Sequence, residues 1–281
     1  MRAAASLGYL LARTSDTLAD TATAPLNLRL HCMDQFRQAV AGASDPPRWP
    51  VSMLNAISNP RERHLLESSA EIFIGLRCLP DVEAALVKEV VAIIITGQTL
   101  DLQRFAAATR EHPIALRDDG ELEDYTWRVA GSVGAFWTKL GFVTQGGRFS
   151  NSTEGQLLEL GIAYGKGLQM VNILRDVAED LGAGRCYLPA ADPRDTALLL
   201  KCHARWLAKA EAWIGQGEIY ARTLCSRRMR AATVLPAIIA RKTLESLRDC
   251  TWETLQKRQK VSRGEIYRSV VYACCTPTKQ L

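Results

Sequence analysis

Apolar residues in this chain recur at intervals of three and four over long stretches, while runs alternating at every second position are nearly absent. The first pattern belongs to helices that bury one face, the second to half-buried strands. Helices are therefore predicted over 3–20, 61–79, 81–109, 121–140, 154–181, Leu198–Leu224 and Ala231–Gln259. Pro80 and Asp81 supply a break followed by a helix start, and Pro236 is expected near a helix start or at a kink. Short loops are expected at 44–50, 117–120, 144–152 and 182–195. No alternating run is bounded by an Asn-Gly or Asp-Gly turn, so a sheet has little to build on. Neither an internal repeat nor a low-complexity linker divides the chain. One all-α domain over 1–281, a helical bundle, is the expectation.

Two of these helices carry like charges one above the other. Asp16 and Asp20 lie four apart near the start of the chain, and Asp176 and Asp180 repeat the spacing much later. Residues four apart share a helix face, and like charges there cost a few tenths of a kcal/mol, or more if buried. Either pair alone would suit a solvated face. The second pair has company, because Asn172 and Gln169 continue its stripe toward the N-terminus while Met170, Val171, Ile173, Leu174 and Val177 occupy other faces. Stacked oxygen donors are ligands for a hard divalent cation, Mg²⁺ foremost, which leaves part of its shell to water and to phosphate oxygens. Arg13, Arg175 and Arg185 lie beside the two pairs and suit bidentate contact with a diphosphate. Two carboxylate pairs on opposing helices, gripping metal and diphosphate, are the chemistry this pattern points to.

Composition narrows the field without redirecting it. The 281 residues are 47% hydrophobic and 23% charged, with a formal net charge of +5. That is globular, and too mildly basic to argue for nucleic acid, which is excluded as a partner. Basic residues gather between Arg222 and Arg268, among them Arg227, Arg228, Arg230, Arg241, Lys242, Lys257, Arg258, Lys260 and Arg263. They read either as a solvated helix face or as a surface for peripheral contact with anionic lipid headgroups. The eight cysteines form no Cys-x-x-Cys pair, which favours reduced thiols in a cytoplasmic protein over zinc or disulfides. The apolar start of the chain is interrupted by Arg13, so a signal peptide is not expected, and 90–96 is too short to span a bilayer. No Gly-x-Ser-x-Gly or P-loop competes, and His31, His64, His112 and His203 are scattered.

Three segments resemble a known family in order and spacing: YLLARTSDTLAD at 9–20, YTWRVAGSVG at 125–134 and GLQMVNILRDVAEDLGAGRCYLP at 167–189. The family is that of the squalene/phytoene synthases, which join two prenyl diphosphates head to head. The resemblance covers about residues 5–190 and implies a single isoprenoid-synthase-type bundle around a deep central cavity. It makes Asp16, Asp20, Asp176 and Asp180 ligands of Mg²⁺ and diphosphate, with Asn172 joining the metal set. Gln169 and Asn172 become polar liners of that site, and Arg13, Arg175 and Arg185 diphosphate contacts. Tyr125 matches the tyrosine that faces the reacting carbons, Tyr9 another active-site tyrosine, and Tyr187 the tyrosine of the terminal YLP. The small residues of VAGSVG are expected to let a long prenyl chain pass close to the helix backbone. The family usually has a further helix, with a Ser-Phe segment, before the first motif. Here fifteen residues precede Asp16, so the resemblance implies either a start upstream or a pocket open on one side.

The implied reaction is Mg²⁺-dependent condensation of two farnesyl diphosphates to presqualene diphosphate and then, with NADPH, to squalene. Without reductant, a dehydrosqualene or phytoene synthase is the alternative. From another class comes a non-catalytic, assembly-factor-like binding module, against which the two intact aspartate motifs speak. The expected protein is a monomer, cytoplasmic, with peripheral membrane contact admitted.

Overall fold

The computed structural model describes residues 1–257 and 262–275. The expected helix end at Gln259, the basic residues Arg258 and Lys260, and the side chains of Arg263, Cys274 and Cys275 lie outside the described residues. Helices make up nearly all of the regular structure, and the chain forms two compact units, Met1–Ala106 and Ala107–Leu281.

The first unit holds six helices: α1 (Arg2–Asp20), α2 (Leu26–Ala41), α3 (Val51–Ala56), α4 (Pro60–Glu67), α5 (Ser69–Arg77) and α6 (Asp81–Arg104). In α1 the residues Ala4, Gly8, Leu11, Ser15 and Leu18 are buried, a stripe at helical spacing that packs on α6. The long α6 answers with Val87, Val91, Ile94 and Ile95. Helix α2, which the pattern of the sequence does not predict, buries Met33, Phe36 and Val40 and ends at Gly42. There φ is +81°, a left-handed cap that glycine adopts without strain. The single helix expected over 61–79 is two, broken at Ser68, where the Trp49 indole donates to the Leu66 carbonyl at 2.8 Å. Asn59 caps α4 and Pro60 stands at its first position, where a missing N–H costs nothing.

In the second unit α7 (Asp119–Thr126) runs through a π-helical turn (Trp127–Gly131) into α8 (Ser132–Gln145). Then follow α9 (Glu154–Gly182), α10 (Thr196–Thr223), α11 (Arg227–Leu247), α12 (Trp252–Gln256) and α13 (Arg263–Cys275). Thr153 and Gln156 form a reciprocal capping box at the start of α9. That helix packs on α8, α10, α11 and α12. Its buried polar groups are paired across helices: Tyr164 donates to the Thr233 carbonyl at 2.7 Å, and the ring nitrogen of His203 meets the Leu174 carbonyl at 3.1 Å. Pro236 lies inside α11 rather than at a helix start. Extended pairing among the described residues is confined to an isolated antiparallel bridge between Ser150 and Leu224 and a pair of two-residue parallel strands. Strand β1 (Ile114–Ala115) pairs with β2 (Arg185–Cys186) in the register Ile114 to Arg185.

Where α8 crosses α9, backbone touches backbone. A Cβ on Gly134 would sit 1.9 Å from the Gly161 carbonyl oxygen, and one on Gly165 would sit 2.2 Å from that of Ala130. This corrects the expectation for VAGSVG. Gly131 and Gly134 face α9 and admit close helix packing there.

Candidate active-site motifs

On α1 the residues Tyr9, Arg13, Asp16 and Asp20 follow one another at helical spacing, as the sequence pattern requires. Asp16 is held from both sides. Gln98 of α6 donates its amide to Oδ1 at 2.7 Å, and Arg13 donates to Oδ2 at 3.2 Å. Arg13 in turn reaches Glu62 of α4 at 2.5 Å. Crowding of the Asp16 carboxylate by protein atoms raises its pKa; Arg13 and the Gln98 amide oppose that rise. Asp20 is exposed on the last turn, and Tyr9 is 67% exposed. Gln98 and Glu62 are site residues that the sequence pattern does not reveal. The only local signal for Gln98 is an amide placed just after an apolar run.

On α9 the predicted stripe is present but graded in depth. Gln169, Asp176 and Asp180 are partly buried and Asn172 is exposed. Arg175 grips both oxygens of Asp176, through Nε at 2.9 Å and Nη2 at 2.6 Å. Arg185 donates to Asp180 at 3.1 Å. Its backbone is pinned in β2, which places the guanidinium back over the end of α9. Burial pushes the Asp180 carboxyl up to about 6; Arg185 opposes the shift and the nearby charge of Asp176 adds to it. An open cavity of about 340 Å³ adjoins this pair, lined by Arg175, Asp176, Ala178, Glu179, Leu255 and Gln256. Helix α12 thus contributes a wall to the second motif, from a region where the sequence shows no recognisable pattern.

Tyr125 and Tyr187, drawn from different motifs, stack with ring centroids 4.8 Å apart and planes at 25°. Tyr187 is buried and Tyr125 partly so. The π-helical turn begins two residues after Tyr125, a local distortion of the kind often found at functional sites. Nearby, Glu123 bridges Lys166 and Lys209, and Lys166 lies 4.4 Å from the centre of the Trp213 ring.

The donor chemistry suits Mg²⁺. Among the described residues no three His, Cys, Asp or Glu side chains converge as in an all-protein metal cage. Mg²⁺ does not demand one, since it is commonly bound through one or two carboxylates and completed by water and phosphate. Asp16 and Asp180 have raised pKa values despite their arginines. They are carboxylates that burial leaves short of positive charge, which a dication would supply.

The sequence pattern of the squalene/phytoene synthase family matches residues 1–265. Over 102 residues the chain is 39% identical to a 15-cis-phytoene synthase of Synechocystis sp., covering 35% of this chain and 28% of that protein. Over 121 residues it is 35% identical to a presqualene diphosphate synthase of Zymomonas mobilis, covering 38% of this chain and 34% of that one. These alignments thus span about a third of the curated relatives' length. The fold is similar to that of TcSQS in its ligand complexes, with a TM-score of 0.77 at 21% identity, over 96% of this chain and 78% of that one. It is also similar to a dehydrosqualene synthase, with a TM-score of 0.61 at 19% identity, over 97% and 87%. The breadth of the family match, together with both aspartate motifs on helices and each carrying its arginine, means that this chain belongs to the squalene/phytoene synthase family.

Proposed function

We propose that this protein is a Mg²⁺-dependent prenyltransferase that condenses two farnesyl diphosphates head to head, yielding presqualene diphosphate and, with NADPH, squalene. One observation carries the reading: both Asp-x-x-x-Asp motifs place partly desolvated carboxylates beside arginines. That arrangement is built for a polyanion brought in with cations.

Ionisation of an allylic diphosphate breaks a C–O bond, and the electron pair leaves with the diphosphate. Arg13, Arg175 and Arg185 supply fixed donors where that negative charge grows. Asp16 and Asp20 at the first motif, and Asp176 and Asp180 with Asn172 at the second, would each hold Mg²⁺, which when bound offsets the charge of the leaving group. Gln169 adds a polar contact on the same stripe, and the exposed Tyr9 a contact at the first motif. The stacked pair of Tyr125 and Tyr187 offers aromatic faces, which attract a cation, while the phenol oxygens lie in the ring planes away from those faces. The exposed Tyr267 and Val271 of α13, with Arg268 between them in sequence, support peripheral contact with a membrane, where prenyl products reside.

Relatives named phytoene synthase favour a second reading, in which the chain works without reductant and makes dehydrosqualene or phytoene. Purified protein given labelled farnesyl or geranylgeranyl diphosphate, with and without NADPH, separates the two by product. Release of diphosphate from neither substrate would sink both.

A further inference from the structure

We propose that Gln98 is a positioning residue of the first aspartate motif, its amide fixing the Asp16 carboxylate in the orientation that receives a Mg²⁺-bound diphosphate. The inference rests on the function proposed above. Gln98 follows the buried residues Val90, Val91, Ile94 and Ile95 on α6, the helix that packs against α1. At such a position a leucine or methionine would fill the space with no polar cost. The amide carries one: with Nε2 donating to Asp16 Oδ1 at 2.7 Å, Gln98 Oε1 is buried and has no hydrogen-bond partner. An ionised carboxylate only accepts, so the nitrogen must face it and the oxygen must bear the loss.

The geometry accounts for keeping that amide. Gln98 binds one oxygen of Asp16 and Arg13 the other, so the carboxylate cannot turn without breaking a hydrogen bond. Arg13 is itself held by Glu62, so the group is tied to three helices, α4, α1 and α6. Each Asp16 oxygen keeps lone-pair capacity beyond its one donor. A lysine or arginine in place of Gln98 would orient Asp16 equally well but would compete with the metal for its charge. A neutral amide orients the ligand and leaves the charge in place, as outer-shell partners of metal-binding carboxylates do.

The test uses the full chain with Gln98→Met and Gln98→Leu, neither of which can donate. Far-UV circular dichroism checks folding, and the second variant serves if the first does not fold. Two quantities are read: the Mg²⁺ concentration giving half-maximal turnover of farnesyl diphosphate, and that giving half the thermal stabilisation by a non-hydrolysable farnesyl diphosphate analogue. Both should rise about tenfold or more, the usual loss for an outer-shell partner, while KM for farnesyl diphosphate at saturating Mg²⁺ stays near wild type. Variants with a wild-type Mg²⁺ requirement overturn the proposal, as do variants that lose stability and turnover with that requirement unchanged. A wild-type chain that neither turns over nor responds to Mg²⁺ with the analogue overturns the proposed function and this inference with it. An active, Mg²⁺-responsive wild type beside indifferent variants overturns this inference alone.

Discussion

Tyr125 of α7 lies ring on ring with Tyr187, the residue that follows β2, at 4.8 Å between centroids. The contact joins the middle motif to the tail of the second aspartate motif. Packing and chemistry can be separated here. Tyr187→Leu removes the stack and part of a buried ring, and is expected to cost about 1–3 kcal/mol of stability. Tyr125→Phe keeps the stack and is expected to melt close to wild type, yet to lower turnover if the hydroxyl faces the reacting carbons. Melting temperature and rate, measured on both variants, distinguish the two roles. Equal rates for Tyr125→Phe and wild type would confine Tyr125 to packing.

Asp180 makes metal-free protein sensitive to pH. Its folded pKa, about 6, lies above the ordinary carboxylate value of 3.8. Between those values the native state binds more protons than the unfolded state, so stability falls as pH rises through that window and stays reduced above it. The penalty is on the order of 3 kcal/mol. Asp180→Asn in EDTA should therefore melt higher than wild type at pH 8, lose that advantage near pH 4, and be inactive. The same difference in melting temperature at both pH values would show that Asp180 carries no such penalty.

The contact between α8 and α9 tolerates no side chain at its closest points. Gly134→Ala drives a methyl group into the Gly161 carbonyl and is expected to cost about 3 kcal/mol or more. Gly155→Ala, where nothing lies within 4 Å, should be neutral or slightly stabilising. Urea denaturation of the pair gives the comparison, and a mild Gly134→Ala would mean that the helices can part without loss.

Metal removal should abolish turnover. Protein stripped with EDTA is expected to release no diphosphate until Mg²⁺ is restored, and the farnesyl analogue should raise its melting temperature only when Mg²⁺ is present. At a hundredfold excess over Kd the stabilisation amounts to about 2.7 kcal/mol. Stabilisation by the analogue in EDTA as large as in Mg²⁺ would argue for the arginines as the whole anion site.

The local parts of this protein were legible in its residues, because their causes are local. Helical periodicity, the Pro80–Asp81 start and the four-residue spacing of Asp16 with Asp20 and Asp176 with Asp180 operate within a turn or two, and an all-α fold followed from them. The misses have equally physical reasons. Helix α2 mixes polar residues into its apolar face, the 61–79 segment breaks where a distant indole takes a carbonyl, and β1–β2 is too short to leave a period. Only the tertiary structure decided which partners those local features meet. The glycines of VAGSVG serve a helix crossing, Tyr125 meets Tyr187, Arg185 is pinned by a strand pair onto Asp180, and Gln98 reaches Asp16 from another helix. Apart from Arg185 and Asp180, which are only five apart, these pairings join residues distant in the chain, where periodicity carries no information, and all depend on burial and distance that exist only once the helices have packed.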